Sequence, residues 1–505
     1  MRLAFNKKIK GEMNMNFAEA MKNESTIKYT ENGAIAYNTT NNSLLDLFGT
    51  IGALRNRSAE DICYKFEEAF NEDPLLATKM MFYAGNIRGG LGERKTFKTI
   101  LRWLSRTYPA IVEKNLPLIA YYNRFDSLFE LIGSDVEESM WKYIYTTLKS
   151  DYNRMLDGKS VTLLAKWMPS ENASSQKTKK LARYAIRQLG MNERTYRKTL
   201  SALRKYMNVT ERIMSDNEWE NLVYSQVPSY AMNRYRNAFM KHDKERFSDY
   251  ISAVSKGEEK INSGVLYPYN LIHNYLDISF MSAHLKDYDK VVEEQWKSLP
   301  NFVGAGENVV VMADVSGSMY GRPLETSIGL ALYFAERSSS DYHNLYMTFT
   351  DEPHFIRLSD NMSLREKIKQ VLDTDIGYST NLMRAFDCIL YHAIQNHITD
   401  EGMPKALLII SDMQIDSFFK PDKNWDFMQT IRWKFANAGL KSPKLIMWNV
   451  EARSETFLTK DEDVIFVSGQ SPAVFKRLCA NLSGKTNWEL MLETLNDKIY
   501  DCITI

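Results

Sequence analysis

Apolar residues recur at helical spacing through the first part of the chain, up to about residue 285. Amphipathic periodicity, with apolar side chains at i, i+3, i+4 and i+7, is strongest in segments 59–70, 75–84, 95–106, 178–189 and 193–206. Asp-Pro, Gly-Gly and Val-Pro-Ser turns separate these segments. Helices of this length in series predict stacked helix pairs, an α-solenoid of HEAT-like repeats, and leave open whether the array closes into a ring.

Beyond residue 304, short apolar runs alternate with amphipathic helices. Strands are predicted at 309–313, 345–350, 406–411, 444–450 and 464–467. Helices are predicted at 324–337, 364–372, 382–396 and 425–438. This alternation is typical of a doubly wound parallel sheet in an α/β domain. We therefore divide the chain into an N-terminal extension (1–42) that packs on the α/β domain, a helical module (43–300) and the α/β domain (301–505).

Charge is unevenly distributed although the net charge of the 505 residues is only +1. From residue 301 onward the chain has 20 Lys and Arg against 27 Asp and Glu, and the preceding 300 residues have 44 against 36. A basic half and an acidic half thus cancel in the total, so near-neutrality does not exclude a nucleic-acid partner.

The four cysteines are scattered and form no zinc-binding pattern. The first residues lack the apolar region of a signal peptide, and the longest apolar runs have the length of a strand rather than of a membrane span. We expect a cytoplasmic, monomeric protein that is not associated with membranes.

A cluster of oxygen-bearing side chains follows the first predicted strand of the α/β domain. Asp314, Ser316 and Ser318 form D-x-S-x-S at the carboxyl end of that strand, where ligands bind in open α/β sheets. A carboxylate and two hydroxyls favour a hard cation such as Mg²⁺. Alternatively, the same residues merely turn the chain and cap a helix.

Two further elements complete a recognisable pattern. Thr380 lies in G-Y-S-T-N before a predicted helix, and Asp412 follows the strand at 406–411. Together with D-x-S-x-S they resemble the metal-ion-dependent adhesion site of von Willebrand factor A domains. The resemblance implies that Mg²⁺, Mn²⁺ or Ca²⁺ is held by Asp314, Ser316, Ser318, Thr380 and Asp412, directly or through water, with a position open for a partner's carboxylate.

Basic residues concentrate between residues 151 and 212, where 14 Lys and Arg face 5 Asp and Glu. Such a surface attracts polyanions, and interleaved aromatic residues stack on unpaired bases. The alternative is that these are solvated helix faces with core aromatics. With cations of neighbouring motifs, the RNA-binding candidates are Arg88, Arg94, Lys95, Lys166, Lys177, Lys179, Lys180, Arg183, Arg187, Arg194, Arg197 and Lys198.

The glycine-rich segment 86–97 is not a phosphate loop of the Walker type, because it lacks G-x-x-x-x-G-K-[ST] and lies between two helices. The glycines are expected to form a tight turn between these helices. Arg88, Arg94 and Lys95 would then lie near a helix N-terminus, which favours anions. A purely structural turn and an anion contact both remain open.

The ordered motifs of the whole chain resemble the Ro superfamily. They are R-G-G-x-G-E-R-K in segment 86–97, L-A-K-W-M-P-S at 164–170, Y-R-K-x-L-S-x-L-R at 196–204, V-P-S at 227–229, and the A-type domain. The resemblance, closest to a Ro-like branch without an assigned role, implies a TROVE-type helical module that binds structured or single-stranded RNA in a ribonucleoprotein.

These observations support three functions. The first is a non-enzymatic Ro-like RNA-binding scaffold whose A domain recruits a partner through Mg²⁺. The second is a metal-dependent protein-interaction module without an RNA ligand, with a partner such as an AAA-type ATPase. A hydrolase is the weakest, because no catalytic motif and no histidine dyad occur in the sequence, and we predict that the protein is not an enzyme.

Overall fold

The computed structural model describes residues 27–29, 35–279, 282–303, 308–338, 341–350, 352–373, 382–414, 427–452, 461, 464–474 and 485–505. A two-stranded antiparallel hairpin, β1 (Ile27–Tyr29) and β2 (Ile35–Tyr37), precedes the helices. Most of the predicted N-terminal extension, 1–42, lies outside the described residues.

The helical half contains the helices that the periodicity predicts. Its helices are α1 (Ser43–Thr50), α2 (Ala59–Glu72), α3 (Pro74–Gly85), α4 (Arg94–Thr107), α5 (Pro109–Lys114), α6 (Leu116–Tyr122), α7 (Glu137–Leu156), α8 (Leu164–Trp167), α9 (Gln176–Gln188), α10 (Glu193–Tyr206), α11 (Thr210–Ser215), α12 (Ser229–His242), α13 (Lys244–Ser255), α14 (Pro268–Tyr275) and α15 (Lys290–Lys297). The side chains of Ser58, Asp73 and Asn192 accept hydrogen bonds from backbone N–H groups in the first turns of α2, α3 and α10. These caps fix where the three helices begin. The regular repeat of a solenoid stays a prediction.

A hairpin interrupts the region that the sequence predicts to be helical up to residue 285. Strands β3 (Leu276–Ser279) and β4 (Ser282–Leu285) pair in antiparallel fashion between α14 and α15. Leu276 is buried while Asp277 is exposed, which is the alternation of a strand rather than of a helix. Four residues were too short a run for this alternation to stand out in the sequence.

The α/β half is built on one six-stranded sheet. Its strands are β5 (Val309–Ala313), β6 (Leu345–Thr348), β7 (Phe355–Arg357), β8 (Ala406–Ser411), β9 (Lys444–Asn449) and β10 (Val464–Ser468), in the order β10-β9-β8-β5-β6-β7. The described helices of this half are α16 (Arg322–Arg337), α17 (Leu364–Asp373), α18 (Leu382–Gln395), α19 (Phe427–Asn437) and α20 (Asn487–Leu495). The prediction of a wholly parallel sheet is wrong at one edge, where β7 returns antiparallel to β6 after a short connection.

Both faces of the sheet are buried, which explains the unbroken apolar runs of its central strands. Val311 of β5 belongs to the apolar core that extends into the helical half, whereas Val310 and Met312 belong to a second core under α18 and α19. In β8, Leu408 likewise belongs to the first core and Leu407 to the second. Alternate residues thus face opposite layers of helices, as in a doubly wound fold.

Both ends of the helical half contact the α/β half. Near the first helix, the Gly52 N–H donates to Ser468 Oγ at 2.9 Å, and a Cβ atom on Gly52 would lie 2.5 Å from the Ser468 carbonyl oxygen. Near the last helices, α14 packs along α16, where a Cβ atom on Gly329 would lie 3.0 Å from the Tyr269 nitrogen. Glycine permits these close backbone approaches.

A buried arginine reinforces the contact at the first end. Arg55 is 6% exposed and pairs with Glu93 at 2.6 Å and with Glu451 of the α/β half at 3.5 Å. Its guanidinium also donates to the Val450 carbonyl at 2.6 Å. The two halves are therefore joined by charged as well as apolar contacts.

Candidate functional site

A cavity of about 2140 Å³ lies mainly within the helical half. Residues of the α3–α4 connection, the 163–173 segment, α10, α12 and α14 line it, and Gly321, Arg322 and Glu325 at the start of α16 are the contribution of the α/β half. Because segments distant in the sequence contribute to one lining, the tertiary packing of the chain creates this cavity.

Positive charge dominates the lining. It contains eleven Lys and Arg side chains, namely Arg55, Arg94, Lys95, Arg124, Lys166, Arg197, Arg204, Arg212, Arg234, Lys286 and Arg322. The seven acidic side chains are Glu93, Asp126, Glu171, Glu211, Asp216, Asp277 and Glu325. An excess of four positive charges in a concave, partly desolvated surface produces an attractive potential for anions.

Many of these cations are not neutralised by neighbours. Arg55, Arg124, Lys166, Arg197 and Arg212 have carboxylates within 4.0 Å. Among the residues that the structure describes, no carboxylate lies within that distance of Arg94, Lys95, Arg204, Arg234, Lys286 or Arg322. Of these six, Arg204 donates to Ala165, Met168 and Ser170, and Arg322 donates to Tyr269 and Gln470. The cations that stay available to anionic groups of a ligand are therefore Arg94, Lys95, Arg234 and Lys286.

Two arginine–aromatic stacks lie in the same lining. The Arg124 guanidinium lies 4.1 Å from the centroid of the Trp167 ring, and that of Arg322 lies 4.4 Å from the centroid of the Tyr269 ring. Arg124 is held in place by Asp126, with Nη2–Oδ2 at 2.6 Å. Planar groups of this kind accept nucleobases by stacking.

The segment that carries Trp167, α8 and the residues that follow it, is held in place by hydrogen bonds from α10. Arg204 donates to the carbonyls of Ala165 and Met168 at 2.9 and 2.7 Å, and the Tyr196 hydroxyl donates to that of Pro169 at 2.7 Å. These bonds hold the L-A-K-W-M-P-S segment against the cavity. Arg204 and Tyr196 are therefore positioning residues for the Trp167 ring.

Four side chains meet where α14 crosses α16, and we name them the junction quartet: Tyr269, His273, Arg322 and Glu325. The Arg322 Nη2 donates to the Tyr269 hydroxyl at 2.6 Å, and His273 Nδ1 lies 2.7 Å from Glu325 Oε1. All four line the cavity. The hydrogen bond to Glu325 raises the pKa of His273, although burial and the nearby Lys286 and Arg322 oppose this.

The sequence-predicted cations divide into two groups. Arg94, Lys95, Lys166 and Arg197 line the cavity. The others do not, namely Arg88, Lys177, Lys179, Lys180, Arg183, Arg187, Arg194 and Lys198. Those of α9 and α10 form a separate basic surface, exposed to solvent except at the half-buried Lys179. The role of either group in RNA binding stays a prediction.

Several lining residues had no signal in the sequence. Arg124, Arg234, Lys286 and Arg322 are isolated cations outside the basic cluster, or single members of mixed segments. Tyr269 and His273 stand in a short helix that showed no motif. Only the tertiary packing of the chain brings these residues together.

The predicted cation ligands lie at the carboxyl ends of β5 and β8. Asp314 and Asp412 are 1% and 0% exposed and follow paired neighbouring strands. The Asp314 carboxylate accepts from Ser411 Oγ at 2.6 Å and from the Ser316 N–H at 2.9 Å. Burial and the charge of Asp412 raise the pKa of Asp314 to about 6.

The hydroxyls of the D-x-S-x-S loop also converge, with Ser316 Oγ and Ser318 Oγ 3.2 Å apart. Thr380 lies outside the described residues. Among the residues that are described, no group of three or more His, Cys, Asp or Glu side chains is arranged around a common point. Two neighbouring buried carboxylates and two hydroxyls are nevertheless a donor set that fits a hard cation.

Two families of unassigned function match this chain: DUF2828 over residues 30–124 and 174–303, and DUF7788 over residues 308–497. Uncharacterized protein L728 of Acanthamoeba polyphaga mimivirus is 29% identical over 496 residues, which cover 90% of this chain and 84% of the viral protein. The described helices include none with the length and apolarity of a membrane span. The crystal structure of the Deinococcus radiodurans RO (RSR) protein aligns over 87% of this chain and 92% of its own at 13% identity, with a TM-score of 0.36, too low to carry an argument.

Proposed function

We propose that the protein is a non-enzymatic RNA-binding scaffold that holds single-stranded or loop-containing RNA in the cavity. The observation that carries the proposal is the lining itself, in which Arg94, Lys95, Arg234 and Lys286, which have no carboxylate partners among the described residues, accompany two arginine–aromatic stacks. Phosphates contribute affinity through such cations, and planar groups accept splayed bases.

Preference for unpaired RNA follows from the aromatic groups. In a duplex the base faces are covered by their neighbours, so neither Trp167 nor Tyr269 could stack on them. A cavity that offered only cations would accept any polyanion of suitable size. The stacks therefore favour RNA with unpaired bases over duplex RNA and inorganic polyphosphate.

The exposed cations of α9 add a second electrostatic surface. Lys177, Lys180, Arg183 and Arg187 are solvent-exposed on a 13-residue helix. A structured part of the same RNA would contact this surface through its phosphates, while an unpaired end enters the cavity. This division matches the Ro-like behaviour that the sequence motifs suggest.

For the α/β half we propose a bound Mg²⁺, or a similar divalent cation such as Mn²⁺ or Ca²⁺. Asp314, Ser316, Ser318 and Asp412 would hold it, together with Thr380 as the sequence predicts. Support comes from two buried carboxylates on neighbouring strands together with the converging Ser316 and Ser318 hydroxyls, a donor set that fits a hard cation. When bound, the cation supplies an open coordination position for a carboxylate of a protein partner.

The alternative is a metal-dependent protein-interaction module with no physiological RNA ligand, and the buried Asp314–Asp412 pair favours it. The two functions are separated by one comparison. The variant D314N should lose partner capture while binding RNA normally, whereas loss of cavity cations should do the reverse. That the protein is monomeric, cytoplasmic and without catalytic activity remains predicted from its sequence.

The experiment that tests RNA binding is sequencing of RNA crosslinked to the native protein, combined with mass spectrometry of the crosslinked peptides. Enrichment of single-stranded regions, with crosslinks in the peptides that contain Trp167 or Tyr269, supports the proposal. Crosslinks no more frequent than for a bulk RNA background contradict it.

A further inference from the structure

The junction quartet differs from the rest of the cavity because it includes a buried carboxylate that has no Lys or Arg partner among the described residues. Five of the seven acidic residues in the lining have a Lys or Arg partner within 4.0 Å. Among the described residues, no such partner is found for Asp277 or Glu325. Glu325 is 7% exposed and contacts His273 instead. A carboxylate so placed repels phosphates, so it needs another explanation in an RNA-binding cavity.

We propose that the junction quartet holds one unpaired nucleobase and that Glu325 selects bases that carry an amino group. This inference rests on the proposed RNA-binding function. Adenine, cytosine and guanine each present an exocyclic amine that can donate to a carboxylate. Uracil presents carbonyl oxygens in the corresponding places, and its single donor on that edge, N3–H, lies between two oxygens that a carboxylate repels. The quartet therefore discriminates against uracil.

The stacking surface for this base is already fixed in position. The Arg322 guanidinium stacks on Tyr269, and it donates both to the Tyr269 hydroxyl at 2.6 Å and to Gln470 Oε1. Gln470 is 1% exposed and belongs to the α/β half. Because the guanidinium is anchored at two points and no described carboxylate pairs with it, its plane is held ready for a base at small entropic cost.

The carboxylate lies next to this stack. Arg322 and Glu325 are three residues apart in α16, while Tyr269 and His273 are four apart in α14, so each pair shares one helix face. His273 Nδ1 contacts Glu325 Oε1 at 2.7 Å, and the described residues provide no other hydrogen-bond partner for the Glu325 carboxylate. Its Oε2 atom is thereby available as an acceptor, and His273 acts as a positioning residue.

The test compares affinities for oligo(A), oligo(C) and oligo(U) of equal length, measured by fluorescence anisotropy at one salt concentration. For the wild type we expect oligo(A) and oligo(C) to bind about tenfold more tightly than oligo(U). In E325Q this ratio should fall toward one, because the amide both accepts from an amine and donates to a carbonyl.

D277N is the matched control, since it removes one negative charge from the same cavity. It should change all three affinities by one common factor and preserve the ratio. Y269L, which removes the stacking ring, should weaken all three by about fivefold or more, whereas Y269F should stay within about twofold of the wild type because it keeps the ring. Circular dichroism melts of each variant establish that it is folded.

The outcomes separate this inference from the function on which it rests. Equal wild-type binding of the three oligonucleotides, or a ratio that survives in E325Q, overturns base selection while RNA binding stands. If none of the three binds more tightly than inorganic polyphosphate, the proposed function itself fails.

Discussion

His273 in α14 and Glu325 in α16 join the helical half to the α/β half by a hydrogen bond of 2.7 Å at the edge of the cavity. The residues are 52 positions apart in the sequence, and neither belongs to a motif. Since the hydrogen bond to Glu325 raises the pKa of His273 above its ordinary value, the imidazole keeps its charge to higher pH in the folded protein than in the unfolded chain.

The pair predicts a pH-dependent contribution to stability. A group whose pKa is raised on folding stabilises fully below its unfolded pKa and loses that contribution as pH rises through the folded value. H273Q should therefore have a lower melting temperature than the wild type near pH 6. Near pH 9 the difference between the two melting temperatures should be much smaller. Because the His273 side chain is 68% exposed, the contribution should be below about 1 kcal/mol. In an E325Q background the effect of H273Q on the melting temperature should not depend on pH. A pH dependence that persists in that background would contradict the account.

The buried Arg55 should be far more important for stability than its half-buried neighbour Arg57. R55M leaves Glu93 and Glu451 buried without their counter-charge, which costs about 3–5 kcal/mol. R57M disrupts a partly exposed i,i+4 pair with Asp61, which is worth less than about 1 kcal/mol. Thermal melts and limited proteolysis between the two halves measure the difference, and equal effects of the two variants would refute this role of Arg55.

Divalent cations should stabilise the wild type. A ligand that binds only the folded state at about 100 times its dissociation constant adds roughly 2.7 kcal/mol, so the melting temperature should rise when Mg²⁺ replaces EDTA. D314N should not respond, whereas D277N, with a carboxylate removed elsewhere, should respond like the wild type. If the wild type melts identically in Mg²⁺ and EDTA, the cation site is not functional.

Binding of single-stranded RNA should weaken with salt in proportion to the cations engaged. If the four available cavity cations, Arg94, Lys95, Arg234 and Lys286, each contact a phosphate, the slope of log K against log salt concentration is about −3. Replacing Arg94, Arg234 and Lys286 with Gln should reduce the magnitude of the slope to about 1. A slope that is unchanged in this variant would mean that the phosphates lie elsewhere.

Elements with strong local signals could be predicted from the sequence. The expected strands at 309–313 and 406–411 coincide with β5 and β8, because burial of both faces leaves an unbroken apolar run. The long helices of the first half were equally clear, since one apolar face repeats over several turns. The three-residue edge strand β7 and the β3–β4 hairpin were missed because a few residues do not establish a period.

The cavity could be predicted only in part. Counting basic residues finds α9, whose exposed cations do not line the cavity, and it finds Lys166 and Arg197, which do. It cannot find Arg322 or Lys286, because only the tertiary fold brings each of them to the cavity lining. Local composition reports charge density, whereas concavity arises from contacts between residues far apart in the sequence.

The central claim is that unpaired RNA occupies the cavity, and its most direct test is a comparison of two charge-matched triple variants. R94Q/R234Q/K286Q removes three cations from the cavity, and K177Q/K180Q/R183Q removes three from the exposed face of α9. We predict that the first lowers the affinity for a single-stranded oligonucleotide by about tenfold or more, and that the second lowers it by less than about threefold. A single-strand affinity that is unchanged by the cavity variant, or reduced equally by both, would contradict the account.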